Sequence, residues 1–177
     1  MRVILGLAAL AAVAVLLVAM PREPVAGRAV VDPSTITVEK AFAICREVLT
    51  RSGFEVPAKP GPAVVRSSGF VLVGSTTSHL MACTRSGSNV GHESSIMGPG
   101  IAEVPVCPCA RLAEHQVFYG YARADVASVT LHTEDGREIT ALVGSGAFVA
   151  DVSDLSEDEA SGLRVEAFNA AGQRLSA

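Results

Sequence analysis

The stretch Val104 to His115, VPVCPCARLAEH, concentrates more reactive side chains than any other part of the chain. Thiolate and imidazole are the ligands that copper and zinc accept, so Cys107, Cys109 and His115 form one candidate metal set, with His79 or Cys83 as further ligands. The two thiols are also a candidate redox pair. Against both stands the spacing. Zinc frameworks carry cysteine pairs on both sides of the metal, and thioredoxin-type exchange uses Cys-x-x-Cys beside a βαβ unit; the sequence offers neither. The remaining use is structural. With Cys45, Cys83, Cys107 and Cys109 in a chain that reads as exported, two disulfides are the default. Solitary, inward-facing positions favour a staple between Cys45 and Cys83, which leaves Cys107 with Cys109 in a very small ring. The two pairings that divide Cys107 and Cys109 between Cys45 and Cys83 stay open.

The other candidate groups are weaker. His92 beside Glu93 has the makings of a proton-transfer pair in a hydrolase, set in a Gly/Ser/Asn-rich stretch, SGSNVGHESSIMGPG. That stretch reads as a long surface connection. Ser145 lies in Gly-Ser-Gly, without the Gly-x-Ser-x-Gly spacing of a nucleophile elbow, and reads as a turn residue. Asp151, Asp154, Glu157, Asp158 and Glu159 gather acid without the loop spacing or central glycine of a calcium-binding EF-hand. His132 falls on the opposite face from a valine core and reads as a solvated strand residue. No coherent catalytic set emerges, and the chain is expected not to be an enzyme and to hold no cofactor.

The elements that would position these residues are legible in the periodicity. In TVEKAFAICREVLTRSGF the apolar residues Val38, Ala41, Phe42, Cys45, Val48 and Leu49 form one stripe of an amphipathic helix, with Thr37 as N-cap and Gly53 as the stop. A hairpin follows, GFVLVGS and HLMACTR around a TTS turn. In the C-terminal third, QVFYGYA, VASVTLHT, REITALVG, AFVADV and LRVEAFNA are strand-like runs, and Asp135-Gly136 marks a hairpin turn between the second and third. Val129 and Leu131 alternate with Thr130 and His132; Ile139, Ala141 and Val143 continue the pattern, as do Leu163, Val165 and Ala167. Ser156 to Glu159, SEDE, fits a capping box. The expected fold is mainly β with one N-terminal-side helix: an antiparallel β-sandwich preceded by a membrane-targeting helix.

The run GYARADVASVTLHTEDGREITALVGSGAF resembles the end of immunoglobulin-like or regulatory-like β-sandwich modules of secreted bacterial proteins. Tyr119 or Tyr121 stands where a tyrosine corner would, and the cysteine and tryptophan of true immunoglobulin domains are missing. The resemblance implies a fold class and no activity.

Length and composition bound the rest. Of 177 residues, Val3 to Met20 is an apolar run after Arg2, the order of a secretory leader. Eighteen helical residues reach roughly 27 Å, nearly a bilayer core, so residues 1–20 read as a signal sequence or a transmembrane anchor, with the anchor favoured. Residues 21–36 read as a stalk, 37–114 as helix, hairpin and long loop, and 115–177 as the C-terminal sandwich part of the same domain. Arg2 on the cytoplasmic side places the remainder outside: a single-pass membrane protein with an extracytoplasmic domain, or a secreted one if the leader is cleaved. The net charge is −4, and no basic stripe interleaves with aromatics, which excludes nucleic acid as a partner. The expected role is binding or structural, at the cell envelope, with the membrane and an unidentified envelope protein or glycan as partners. The alternative is an extracytoplasmic copper- or zinc-binding or thiol redox protein using Cys107, Cys109 and His115.

Overall fold

Thr37 begins the first helix as expected. A computed structural model of the chain describes residues 36–176, and helix α1 runs over Val38–Arg51. The Thr37 side chain accepts a hydrogen bond from the Lys40 backbone N–H at 3.3 Å. Glu39 in the first turn and Arg51 in the last oppose the charges of the helix ends. Gly53, at φ 77°, ends the helix, and the Phe54 N–H returns to the Leu49 carbonyl at 3.0 Å. The targeting segment expected at 1–20 and, apart from Ile36, the stalk expected at 21–36 lie outside the described residues. Among the described residues no helix is long and apolar enough to cross a membrane.

Helix α1 lies on a four-stranded antiparallel meander: β1 (Ala63–Arg66), β2 (Gly69–Ser75), β3 (His79–Ser86) and β4 (Asn89–Ile96), in that order. Strand alternation divides its side chains between two layers. Phe70, Leu72 and Cys83 face α1, where they meet Ala41 and Cys45. Val71, Val73, Leu80 and Ala82 face the other way, into a second apolar layer. Strand β2 is thereby buried on both sides, which accounts for its nearly unbroken apolar run. Strand β4 corrects the expectation of a long loop over residues 86–100. Its glycine and serines pair with β3 from His79↔Ile96 to Ser86↔Asn89. As the outermost strand it faces water along most of its length and needs little apolar content, so its composition resembles a loop.

The second sheet has seven antiparallel strands. They are β5 (Val106–Leu112), β6 (Val117–Ala122), β7 (Ser128–His132), β8 (Glu138–Gly144), β9 (Ala147–Asp151), β10 (Arg164–Phe168) and β11 (Arg174–Leu175), ordered β11-β10-β7-β8-β9-β6-β5. All five strands expected in the C-terminal third are present, and Gly136, at φ 87°, makes the turn between β7 and β8. Strand β8 changes partner midway. Glu138 to Ala141 pair with β7, and Leu142 to Gly144 with β9. Strands β6 and β9 alternate between two cores. Val117, Tyr119, Ala147 and Val149 fill the layer shared with the four-stranded sheet. Phe148 and Ala150 turn inward with Val129, Leu131 and Ala167. A five-residue helix, α2 (Glu157–Ser161), precedes β10 and carries the expected capping box between Ser156 and Glu159.

Candidate binding surface

Cys45 and Cys83 form a disulfide, with Cα atoms 5.9 Å apart. This is the staple expected between the two solitary cysteines. It joins the buried face of α1 to the middle of β3 among Ala41, Phe70 and Leu72. Closing a loop across a separation of 38 residues stabilises the fold by about 4 kcal/mol in the loop-entropy account.

The Cys-Pro-Cys stretch lies in β5. Cys107 sits opposite Tyr121, its Sγ 3.7 Å from the Pro108 carbonyl oxygen. The register then slips: Pro108 pairs with Gly120 and Ala110 with Tyr119, so the Cys109 backbone is the extra residue of a β-bulge. His115 follows the other end of the strand, in a 3-10 turn over Ala113–His115. The strand length from Cys107 to Leu112 is about 16 Å at roughly 3.3 Å per residue. The strand therefore sets His115 beyond its far end from Cys107. Cys83 is spent in the disulfide. Among the described residues no group of three or more His, Cys, Asp or Glu side chains stands close enough to hold a metal ion.

The histidines are placed differently from their sequence reading. His92 and Glu93 are consecutive in β4 and project to opposite faces, so they are not a proton-transfer pair. His92 packs edge-on against Phe54 at 4.9 Å, and His79 approaches the same ring at 6.4 Å. His132 is not a solvated strand residue. Its side chain is only 16% exposed, held between Glu138 at 3.7 Å and Glu166 at 3.5 Å, and Arg174 pairs with Glu166 at 3.1 Å. The long side chains of the neighbouring strands cover it. Ser145 occupies the turn between β8 and β9 at φ 47°, donating to the Pro60 carbonyl at 2.8 Å and accepting from the Ser75 N–H at 3.2 Å.

The acids near the C-terminus are engaged one by one. Glu159 is held below the usual carboxylate range by hydrogen bonds from the Ser156 backbone and hydroxyl. Partial burial opposes ionisation of Asp151. Hydrogen bonds from Ser153 and Arg66 outweigh it, and the carboxyl titrates below its ordinary value. Arg66 is itself a clamp between the sheets. From β1 it donates to the carbonyls of His115 and Gln116 and pairs with Asp151 at 2.6 Å. The Gln116 backbone takes a left-handed conformation, φ 49°, as the chain turns from β5 into β6.

This clamped turn walls one side of a cleft of about 290 Å³ beside β4, with Thr84, Gly91 and Glu93 on the sheet side and Arg111, Glu114 and His115 on the turn side. Arg111 Nε is shielded from water, and its Nη1 lies 3.5 Å from the Glu157 carbonyl. Glu93 and Glu114 are exposed.

Strand β4 is also one of the two edge strands of its sheet, opposite β1. The Met97 N–H donates to the Ser78 carbonyl at 2.9 Å, so residues 89, 91, 93 and 95 direct their backbone groups at β3. Val90, His92, Ser94 and Ile96 direct theirs outward, and Ile96 is 81% exposed. Sequence reasoning missed this edge. Its available signals were the two-step spacing of those four residues and the Gly87 turn before them, at φ 58°. Comparison with family models and with curated proteins finds no match for the chain.

Proposed function

We propose that the chain is an exported binding module of the cell envelope, held at the membrane by residues 1–20 and without catalytic activity of its own. Its two antiparallel sheets form a β-sandwich carrying α1 on one outer side, in keeping with the resemblance of the C-terminal third to secreted sandwich modules. Its partner is an envelope protein or glycan. The observation that carries this reading is the disulfide between Cys45 and Cys83 inside the core, because such bonds persist in oxidising compartments. The apolar run after Arg2 supplies the route to one.

The test is fractionation of cells making the full chain, with thiols trapped by alkylation at lysis. The expected result is a membrane-bound protein, digestible by protease from outside, with Cys45 and Cys83 protected from alkylation. A processed chain in the medium would replace the anchor with a cleaved leader. A cytoplasmic protein with both thiols alkylated would overturn the reading.

A further inference from the structure

The open edge of β4 and the cleft beside it belong to one surface. Outward backbone groups at Val90, His92, Ser94 and Ile96 offer a ladder to an added strand. An antiparallel strand bonded to them sets its intervening residues opposite Gly91 and Glu93, in the positions where cross-strand side chains come closest. Gly91 has no side chain, so a residue facing it has room to enter the cleft, where Glu93 and Glu114 stand. Neither carboxylate has an ion-pair partner among the described residues. The one guanidinium lining the cleft, that of Arg111, is partly shielded beside the Glu157 carbonyl.

Charge also argues against a second copy as the occupant. The antiparallel self-pairing that uses all four outward residues matches Val90 with Ile96 and sets Glu93 directly against Glu93 of the other copy. Like charges so placed repel.

We propose that β4 docks an extended segment of a partner protein as a fifth, antiparallel strand, with a lysine or arginine of that segment entering the cleft between Glu93 and Glu114. This deepens the binding reading above and rests on it for its setting. The docking itself is tested on purified protein, whatever its cellular location.

The probe is a fluorescent eight-residue peptide of alternating valine and threonine with one central lysine, and a control peptide carries glutamate in place of that lysine. The full-length protein in detergent should bind the lysine peptide saturably, and the glutamate peptide about fivefold more weakly. Glu93→Lys should reverse that preference, with Glu114→Lys as the second variant. Slowed amide exchange at residues 90, 92, 94 and 96 should accompany binding. No saturable binding of the lysine peptide up to millimolar concentration would overturn the proposal, as would equal affinity for both peptides. A concentration-dependent dimer that protects the same four amides would assign the edge to a second copy instead. Failure of docking leaves export and anchoring standing, and a cytoplasmic location leaves the docking result unchanged.

Discussion

The two sheets meet water at their margins in different ways. In the seven-stranded sheet, β11 has two residues, and β5 carries a bulge at Cys109 and a proline, Pro108, with no N–H to offer. Strand β5 also comes beside β10 across a groove of about 400 Å³. These are standard protections against unwanted strand pairing. The four-stranded sheet ends on one side in the four residues of β1 and on the other in eight residues of β4 with neither bulge nor proline. Its stabilisation is placed elsewhere, in the disulfide and in the helix that covers its outer face. The sheet that is fastened covalently is also the one that leaves a long edge uncovered, so rigidity and availability for pairing coexist in it.

The sharpest way to break this comparison is to ask whether the sheets unfold together. Phe148, fully buried and 6.3 Å from Phe118, belongs to the interior of the seven-stranded sheet, while its neighbours in β9 face the shared layer. Phe148→Ala should cost about 3–5 kcal/mol in urea denaturation, in a single transition. Two resolved transitions would show that the sheets are independent. Replacing both Cys45 and Cys83 with alanine should cost about 2–4 kcal/mol, and reduction of the native protein should match it. A smaller loss would mean that α1 already holds the four-stranded sheet without covalent help.

The clamp between the sheets gives the next effect. Arg66→Ala removes three hydrogen bonds, strips partners from the His115 and Gln116 carbonyls and should cost about 1–2 kcal/mol. The acid limb of the stability curve reports on the same contact. Asp151 titrates below its ordinary value in the folded state, so its contribution is present above the unfolded value and lost as the pH falls through the folded one. Stability should decline on acidification below the ordinary carboxylate range, and Asp151→Asn should flatten that decline. The smallest effect belongs to the open edge. Ile96→Thr should change stability by less than about 0.5 kcal/mol, because the side chain is exposed. A larger loss would show that the edge contributes to the fold.

Much of this architecture was legible where local chemistry and burial agree. Thr37 and Gly53 bracket α1, Asp135-Gly136 turns between β7 and β8, and the apolar alternation from Val129 to Ala167 follows strands with one buried face. Strand β4 was not legible, because Gly91, Ser94 and Ser95 suit an outermost strand as well as a loop. Strand β5 was hidden by Pro108 and its bulge, and β11 is too short to carry a period. His132 was misread because alternation shows which face a residue takes and says nothing of the glutamates that neighbouring strands place over it. The candidate surface was the least legible part. It depends on β4 being last in its sheet and on a turn from the other sheet approaching Gly91, and both facts arise only from long-range pairing.

The bond between Cys45 and Cys83 also fixes how the domain would carry tension. A pull on the amino-terminal end of α1 runs along the helix to Cys45 and crosses the sulfurs directly into β3. Residues 46 to 82, including β1 and β2, lie outside that load path and cannot be drawn out while the bond is intact. Among the described residues, a pull from the carboxyl-terminal side meets only the two-residue β11 before reaching β10. Under force the molecule would therefore yield from its carboxyl end first, and the sheet that bears the open edge would keep its shape longest.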